Sequence, residues 1–157
     1  MSYPHNPYIK ASSAYGETMK LDHSDQKSLE ASVLLKAAQR LQTLSDRLAD
    51  PTTEPSLEEI DDSLTYNRKL WIVFANEAMN EAHPLPLEIK NNIARLSIFV
   101  FKRTTEIYAT PTPQLLEALI TINRQLASGL MQAAENGAKL DQKPQLAERT
   151  AILSSDV

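Results

Sequence analysis

The sequence contains no cysteine, which excludes a disulfide scaffold, a thiol nucleophile and any thiolate metal site. Glycine is nearly as scarce, at 3 residues in 157, and two of the three, Gly16 and Gly137, lie outside the periodic segments. Little turn chemistry is left for hairpins, so long helices with few connections are expected. Long apolar runs are missing too. The best candidate, Ile93 to Phe101, is interrupted by Arg95 and Ser97, whereas a membrane-spanning helix needs ~20 apolar residues. The opening MSYPHNPYIK has no apolar stretch behind a basic start and does not read as a secretory signal. A soluble, cytoplasmic protein that makes no use of the membrane is expected.

Charge of one sign is also not concentrated. The net charge is −4, and Lys and Arg are scattered along the chain. Displacing counterions from phosphates takes a basic stripe, so direct nucleic-acid binding is not expected. No GxSxG, Walker-type, GxGxxG or HExxH pattern occurs. His5, His23 and His83 fall in an N-terminal arm or a loop. None has an ionisable partner at helical spacing on a buried face, as a metal or proton-transfer site in a bundle requires. Glu58, Glu59, Asp61 and Asp62 cluster at a helix start, where the backbone dipole favours negative charge. The expectation is a protein that is not an enzyme and has no cofactor and no metal.

What is present is helical period. The chain is 42% hydrophobic and 23% charged, and its length suits one core. Residues 1–24, with Pro4, Pro7 and Gly16, show no clear period and read as a flexible arm. A first helix over 25–49 opens at Ser24 or Asp25 and carries Leu29, Val33, Ala37, Leu41, Leu44 and Leu48 at helical spacing. Asp50-Pro51 ends it. A second helix, 56–81, starts on a capping box of Ser56 and Glu59. Its stripe includes Ile60, Leu64, Asn67, Trp71 and Phe74, and a second row of Tyr66, Leu70 and Val73 makes the apolar face broad. The third helix, 86–109, can take Pro86 as its first residue. It is apolar nearly all round and is expected at the centre of the bundle, although its run Ile98–Phe101 also fits a buried strand. Thr112-Pro113 opens a fourth helix, 113–136, which Gly137 is placed to stop. Residues 138–157 read as a polar tail or a short docked helix. The fold class is thus all-α, an antiparallel bundle of about four main helices with an N-terminal arm, its helical domain spanning 25–137.

Two features bear on partners. The arm holds three of the 5 tyrosines, Tyr3, Tyr8 and Tyr15, with Ile9 beside Tyr8. A disordered tail is usually poor in aromatics, so Tyr8, Ile9 and Tyr15 are candidate contacts. In the first helix Leu34, Leu35 and Ala38 lie partly outside the main stripe, next to Leu41. These four are a candidate partner patch, the alternative being that they widen the core contact. Asn67 and Asn123 occupy positions where the stripes call for apolar residues. An unpaired buried amide costs about 1–3 kcal/mol, so each needs a partner: the other asparagine, a backbone carbonyl or a bound peptide. A polar core pair that fixes helix register is the reading favoured, with Trp71 as core filler.

Three ordered segments resemble the FlaF family of flagellar biosynthesis regulators. YNRKLW, Tyr66 to Trp71, matches an aromatic-Asn-Arg-basic-Leu-Trp signature and so carries Asn67, Arg68 and Trp71. PLPLEIKNNIARLSIFVFKR, Pro84 to Arg103, is similar to the family's Leu-Pro and Ile-Leu-Ser-Ile block. LITINRQLASGL, Leu119 to Leu130, is similar to its closing element and carries Asn123 and Arg124. With LEASVLLKAAQRL in the first helix and AYGET in the arm, the resemblance runs from about residue 8 to 132. One departure is Phe99 or Phe101 where many relatives carry tryptophan. The resemblance implies a helical cytoplasmic protein that binds flagellin as a chaperone-like partner and promotes flagellin production, export and filament assembly. It also implies a connection to FlbT, which restrains translation of flagellin mRNA. The alternative is a post-transcriptional regulator that acts on flagellin mRNA, directly or together with FlbT.

Overall fold

A computed structural model describes the backbone of residues 7–83 and 85–154, and the side chains of residues 25–83 and 85–137. The fold is all-α. Four helices follow one another, α1 (Pro7–Ala49), α2 (Leu57–Met79), α3 (Leu87–Ala109) and α4 (Pro113–Ser154), with no strand among the described residues. The run Ile98–Phe101 is helical, inside α3.

The helix starts follow local chemistry. Ser56 caps α2: its hydroxyl accepts from the Glu59 N–H at 3.2 Å, while the Glu59 carboxylate accepts from the Ser56 N–H at 3.0 Å. That satisfies two donors a helix start otherwise leaves unpaired. The Thr112 hydroxyl accepts from the Leu115 N–H, and Pro113 is the first residue of α4. Asp50 turns the chain out of α1, accepting from the Thr52 N–H at 2.9 Å and the Thr52 hydroxyl at 2.7 Å. Pro86 stands one position outside α3, as its N-cap, and caps it with no side-chain bond.

Two boundaries differ from expectation. The backbone of residues 7–24 is helical and continuous with the rest of α1, where an irregular arm was expected. Pro7 is the first helical residue, the one position at which its missing N–H costs nothing. A lone Gly16 does not stop a helix already nucleated on both sides. At the other end α4 runs through Gly137, since no described glycine has a positive φ and so none forms a left-handed stop.

The described chain falls into two compact units. Ser32–Ala127 forms one, and the described parts of Met1–Ala31 and Ser128–Val157 form the other. The second unit comprises the start of α1 and the end of α4; Ala31 and Ala134 are buried in it, and Gln26 donates to Glu30 one turn on. The Ser32–Ala127 unit holds the rest of the core. Leu34 and Leu41 from α1, Leu64 and Trp71 from α2, and Leu116 and Leu119 from α4 are fully buried there, each burial contributing about 1.5–3 kcal/mol.

α3 is not central. It buries only Ser97, Val100, Thr104 and Ile107, a narrow stripe, while Ile98 is 67% exposed. α3 packs against α2, with Ile93, Leu96 and Phe101 half-buried and Leu87, Ile89, Ile98 and Phe99 exposed. Leu96 of α3, like Leu126 and Leu130 of α4, is half-buried.

Candidate functional site

Among the residues singled out in the sequence, the family-motif set is brought together most tightly. Asn67 and Trp71 stand four apart on α2, so they share a face, and Asn123 reaches them from α4. The Trp71 Nε1–H donates to Asn123 Oδ1 at 2.8 Å, and Asn123 Nδ2 donates to Asn67 Oδ1 at 2.7 Å. All three side chains are fully buried. Asn123 is the hub, one oxygen and one nitrogen each engaged with a different α2 residue. Asn67 Nδ2 has no partner among the described residues. A chain of this kind fixes the register of α4 against α2, because a slip of one residue would orphan several buried groups at once. Trp71 also meets Phe74 edge to face, ring centres 5.7 Å apart.

The arginines of the same motifs point away from this network. Arg124 is exposed and donates to Gln42 of α1 at 3.4 Å, and Arg68 is exposed on the flank of α2 that faces α3. The motif therefore divides into an inner part that builds the core and an outer part open to partners.

The patch expected on α1 does not form as a surface. Leu34, Ala38 and Leu41 are buried, and of the four only Leu35, 40% exposed, reaches solvent. The helix turns those three into the bundle because α2 and α4 supply the apolar neighbours they need. Tyr8, Ile9 and Tyr15 lie in the helical start of α1, and their side chains are outside the described residues.

Most of the exposed large apolar residues among those described lie on α2 and α3. Ile72 (42% exposed) and Val73 on α2, and Ile98 on α3, face solvent. The seam between the two helices opens into a recess of about 360 Å³ lined by Arg68, Ile72, Phe101, Thr104, Thr105 and Tyr108. A polar latch closes one end. Tyr108 Oη donates to Asp61 Oδ1 at 2.6 Å, and the Thr65 hydroxyl lies 3.4 Å from the same phenol oxygen. Desolvation first, and then the bond to Asp61, push the Tyr108 phenol above its ordinary range. Asp61, which sequence reading assigned to helix capping, is thus also a tertiary contact. The sequence signal for this surface was the surplus of apolar positions on both helices, more than one inward face can use.

On the other flank of α2, Arg40 of α1 stacks over the Tyr66 ring at 4.3 Å, with Lys36 at 6.0 Å. Arg47 pairs with Glu59. These contacts hold α1 to α2 and leave the α3 side free. No group of three or more metal-ligating side chains occurs among the described residues, and no described helix is long and apolar enough to cross a membrane.

A chain of four helices with a sealed polar hub, and no strand among the described residues, belongs to the class of all-α proteins. The family comparison specifies the class further: the model for "Flagellar protein FlaF" matches residues 11–130, more than half of the chain. The chain belongs to the FlaF family of flagellar proteins. No curated protein and no solved structure matches it.

Proposed function

We propose that this FlaF-family chain is a cytoplasmic, non-enzymatic binding protein whose partner is flagellin. It acts as a chaperone-like regulator that promotes flagellin synthesis or export and so filament assembly, and FlbT is a second candidate partner. The observation that carries this reading is the apolar surface that α2 and α3 leave uncovered, with Ile72, Val73 and Met79 of α2 and Leu87, Ile89 and Ile98 of α3 all exposed. Exposed apolar surface of this kind marks partner sites, and a seam between two helices suits an amphipathic helix. Leu35 of α1 and the segment with Tyr8, Ile9 and Tyr15 remain candidate secondary contacts.

The test is size-exclusion chromatography of the purified chain mixed with flagellin and, separately, with flagellin leader RNA. Co-elution with flagellin alone is the expected result. Retention of the RNA without flagellin would replace this reading with direct action on the message. Deleting residues 1–20 should weaken flagellin binding if Tyr8, Ile9 and Tyr15 take part; unchanged affinity in calorimetry removes them.

A further inference from the structure

The outer face of α2 and α3 has an aliphatic centre bordered by cations. Arg68 and Lys69 stand four and three residues before Ile72, Arg95 stands three before Ile98, and Lys102 stands four after it. Residues so spaced adjoin on a helix surface, so Arg68 and Lys69 border the exposed Ile72, and Arg95 and Lys102 border the exposed Ile98. Each is exposed, and among the described residues none is in an ion pair. Arg103, the neighbouring cation, is already engaged by Glu106 and by the Phe99 ring.

The carboxylates keep to the ends of the same helix pair. Residues 63–76 of α2 and 89–105 of α3 contain no Asp or Glu. Glu58, Asp61 and Asp62 open α2, Glu106 closes α3, and Glu77 and Glu88 lie at the opposite end. On a chain of net charge −4, the middle of this face is therefore locally positive around an apolar centre.

We infer that this face seats an amphipathic helix of a partner protein whose apolar stripe is flanked by acidic residues. The inference rests on the protein-binding reading above and adds where the partner sits and what chemistry it carries. The partner's apolar side chains cover Ile72 and Ile98 and enter the recess beside Phe101; its carboxylates meet Arg68, Lys69, Arg95 and Lys102. From Arg68 to Met79 the face runs about 16 Å at ~1.5 Å per residue, roughly three turns of a docked helix. Charge complementarity sets orientation and encounter rate, and apolar burial holds the complex.

Two other occupants fit less well. A second copy docked about a twofold axis would bring two identical sets of unpaired cations together, an arrangement that costs rather than gains. A nucleic acid would find aliphatic Ile72, Val73 and Ile98 where stacking platforms belong, and carboxylates at both ends of the face.

The test uses the whole chain, purified flagellin, and two synthetic helical peptides that share one apolar stripe. One peptide is flanked by Glu and the other by Lys. Ile98→Asp changes an exposed side chain, and its fold is checked by circular dichroism; a second variant, Arg68→Glu with Lys102→Glu, cancels the local charge at exposed positions without touching the core. The expected result is binding of the Glu-flanked peptide at least tenfold tighter than the Lys-flanked one. Ile98→Asp should weaken it tenfold or more, and the double variant, whose two glutamates balance Lys69 and Arg95, should bring the preference between the two peptides to about one.

Flagellin bound equally by wild type and Ile98→Asp would overturn the surface while leaving the flagellin reading intact. Glu-flanked peptide bound with the expected variant effects, but no flagellin bound, would uphold the surface and remove flagellin as its occupant. No binding of either peptide, equal binding of both, tighter binding of an oligouridylate than of the Glu-flanked peptide, or a chain dimer that Ile98→Asp converts to monomer would each overturn the inference.

Discussion

Removing the hub of the buried network should cost more than removing its end. Asn123→Ala strands two fully buried groups, the Trp71 indole N–H and the Asn67 side-chain oxygen, which now lie 2.8 and 2.7 Å from their Asn123 partners. Each stranded group costs about 1–3 kcal/mol, so the pair costs about 2–6 kcal/mol before any cavity is counted. Asn67→Ala strands only Asn123 Nδ2 and also deletes an Nδ2 that has no partner to begin with. Its expected cost is about 1–3 kcal/mol, at the lower end because a pre-existing defect disappears. Urea unfolding followed by far-ultraviolet circular dichroism measures both, since Trp71 is the only tryptophan and its emission would change for local reasons. With a slope of about 1–3 kcal/mol per molar urea, a difference of ~2 kcal/mol separates the two midpoints by roughly 1 M. Trp71→Phe combined with Asn123→Ala should be less harmful than the sum of the singles, because the stranded donor is gone. Equal losses from Asn67→Ala and Asn123→Ala, together with additivity in that cycle, would refute the hub.

Three further outcomes are expected. Ser56→Ala removes the acceptor for the Glu59 N–H and should lower stability by about 1 kcal/mol in the same assay; no change would mean that α2 starts without its cap. Gly129→Ala should raise stability by about 0.5–1 kcal/mol, since Gly129 lies inside α4 and an added methyl meets nothing within 4 Å; a loss would show that the site needs glycine. The Tyr108 phenol is held above its ordinary value of 10.0 by desolvation and by Asp61; the unfolded chain therefore loses that proton first, so stability falls as pH rises through the ordinary value and levels off once the folded phenol ionises. An absorbance titration should show one late tyrosine that Asp61→Asn moves only part of the way back, and an unmoved titration would remove Asp61 from the cause.

Helix starts were legible because their signals are local. Ser56 with Glu59, and Thr112 with Pro113, need nothing beyond their own turn to act as caps, and both act so in the structure. The start of α1 and the end of α4 were not legible, because a missing apolar period and a single glycine are weak evidence against a helix already under way. Residues 7–24 and 138–154 are helical in backbone without advertising it in pattern. The polar stripe positions 67 and 123 announced a need for partners, but which partner each takes is set by the level at which α4 meets α2, a tertiary fact. The burial of Leu34, Ala38 and Leu41 was not legible for a related reason. An apolar surplus on a helix shows that some of it must stay outside, not which part, and competition among four helices for one interior decides that. α1 won, burying Leu34, Ala38 and Leu41; α3 lost, leaving Ile98 in solvent.

The way α3 is anchored explains how it can lose that competition and still be kept. Its two buried hydroxyls need no other helix: Ser97 donates to the Ile93 carbonyl and Thr104 to the Val100 carbonyl, both at 2.7 Å and one turn back. Such bonds satisfy the group without specifying a neighbour. The network of Trp71, Asn123 and Asn67 does the opposite, since every member depends on a second helix. Register in this unit is therefore set by α2 against α4, and α3 is held to them by Val100, Ile107 and the Tyr108–Asp61 latch. No residue of α3 before Ser97 is buried. Its first half, and Ile98 just beyond it at 67% exposure, thus present side chains that cost the core little to change. Of α2 and α3, the element whose packing is the less committed is therefore α3, with four buried residues against six.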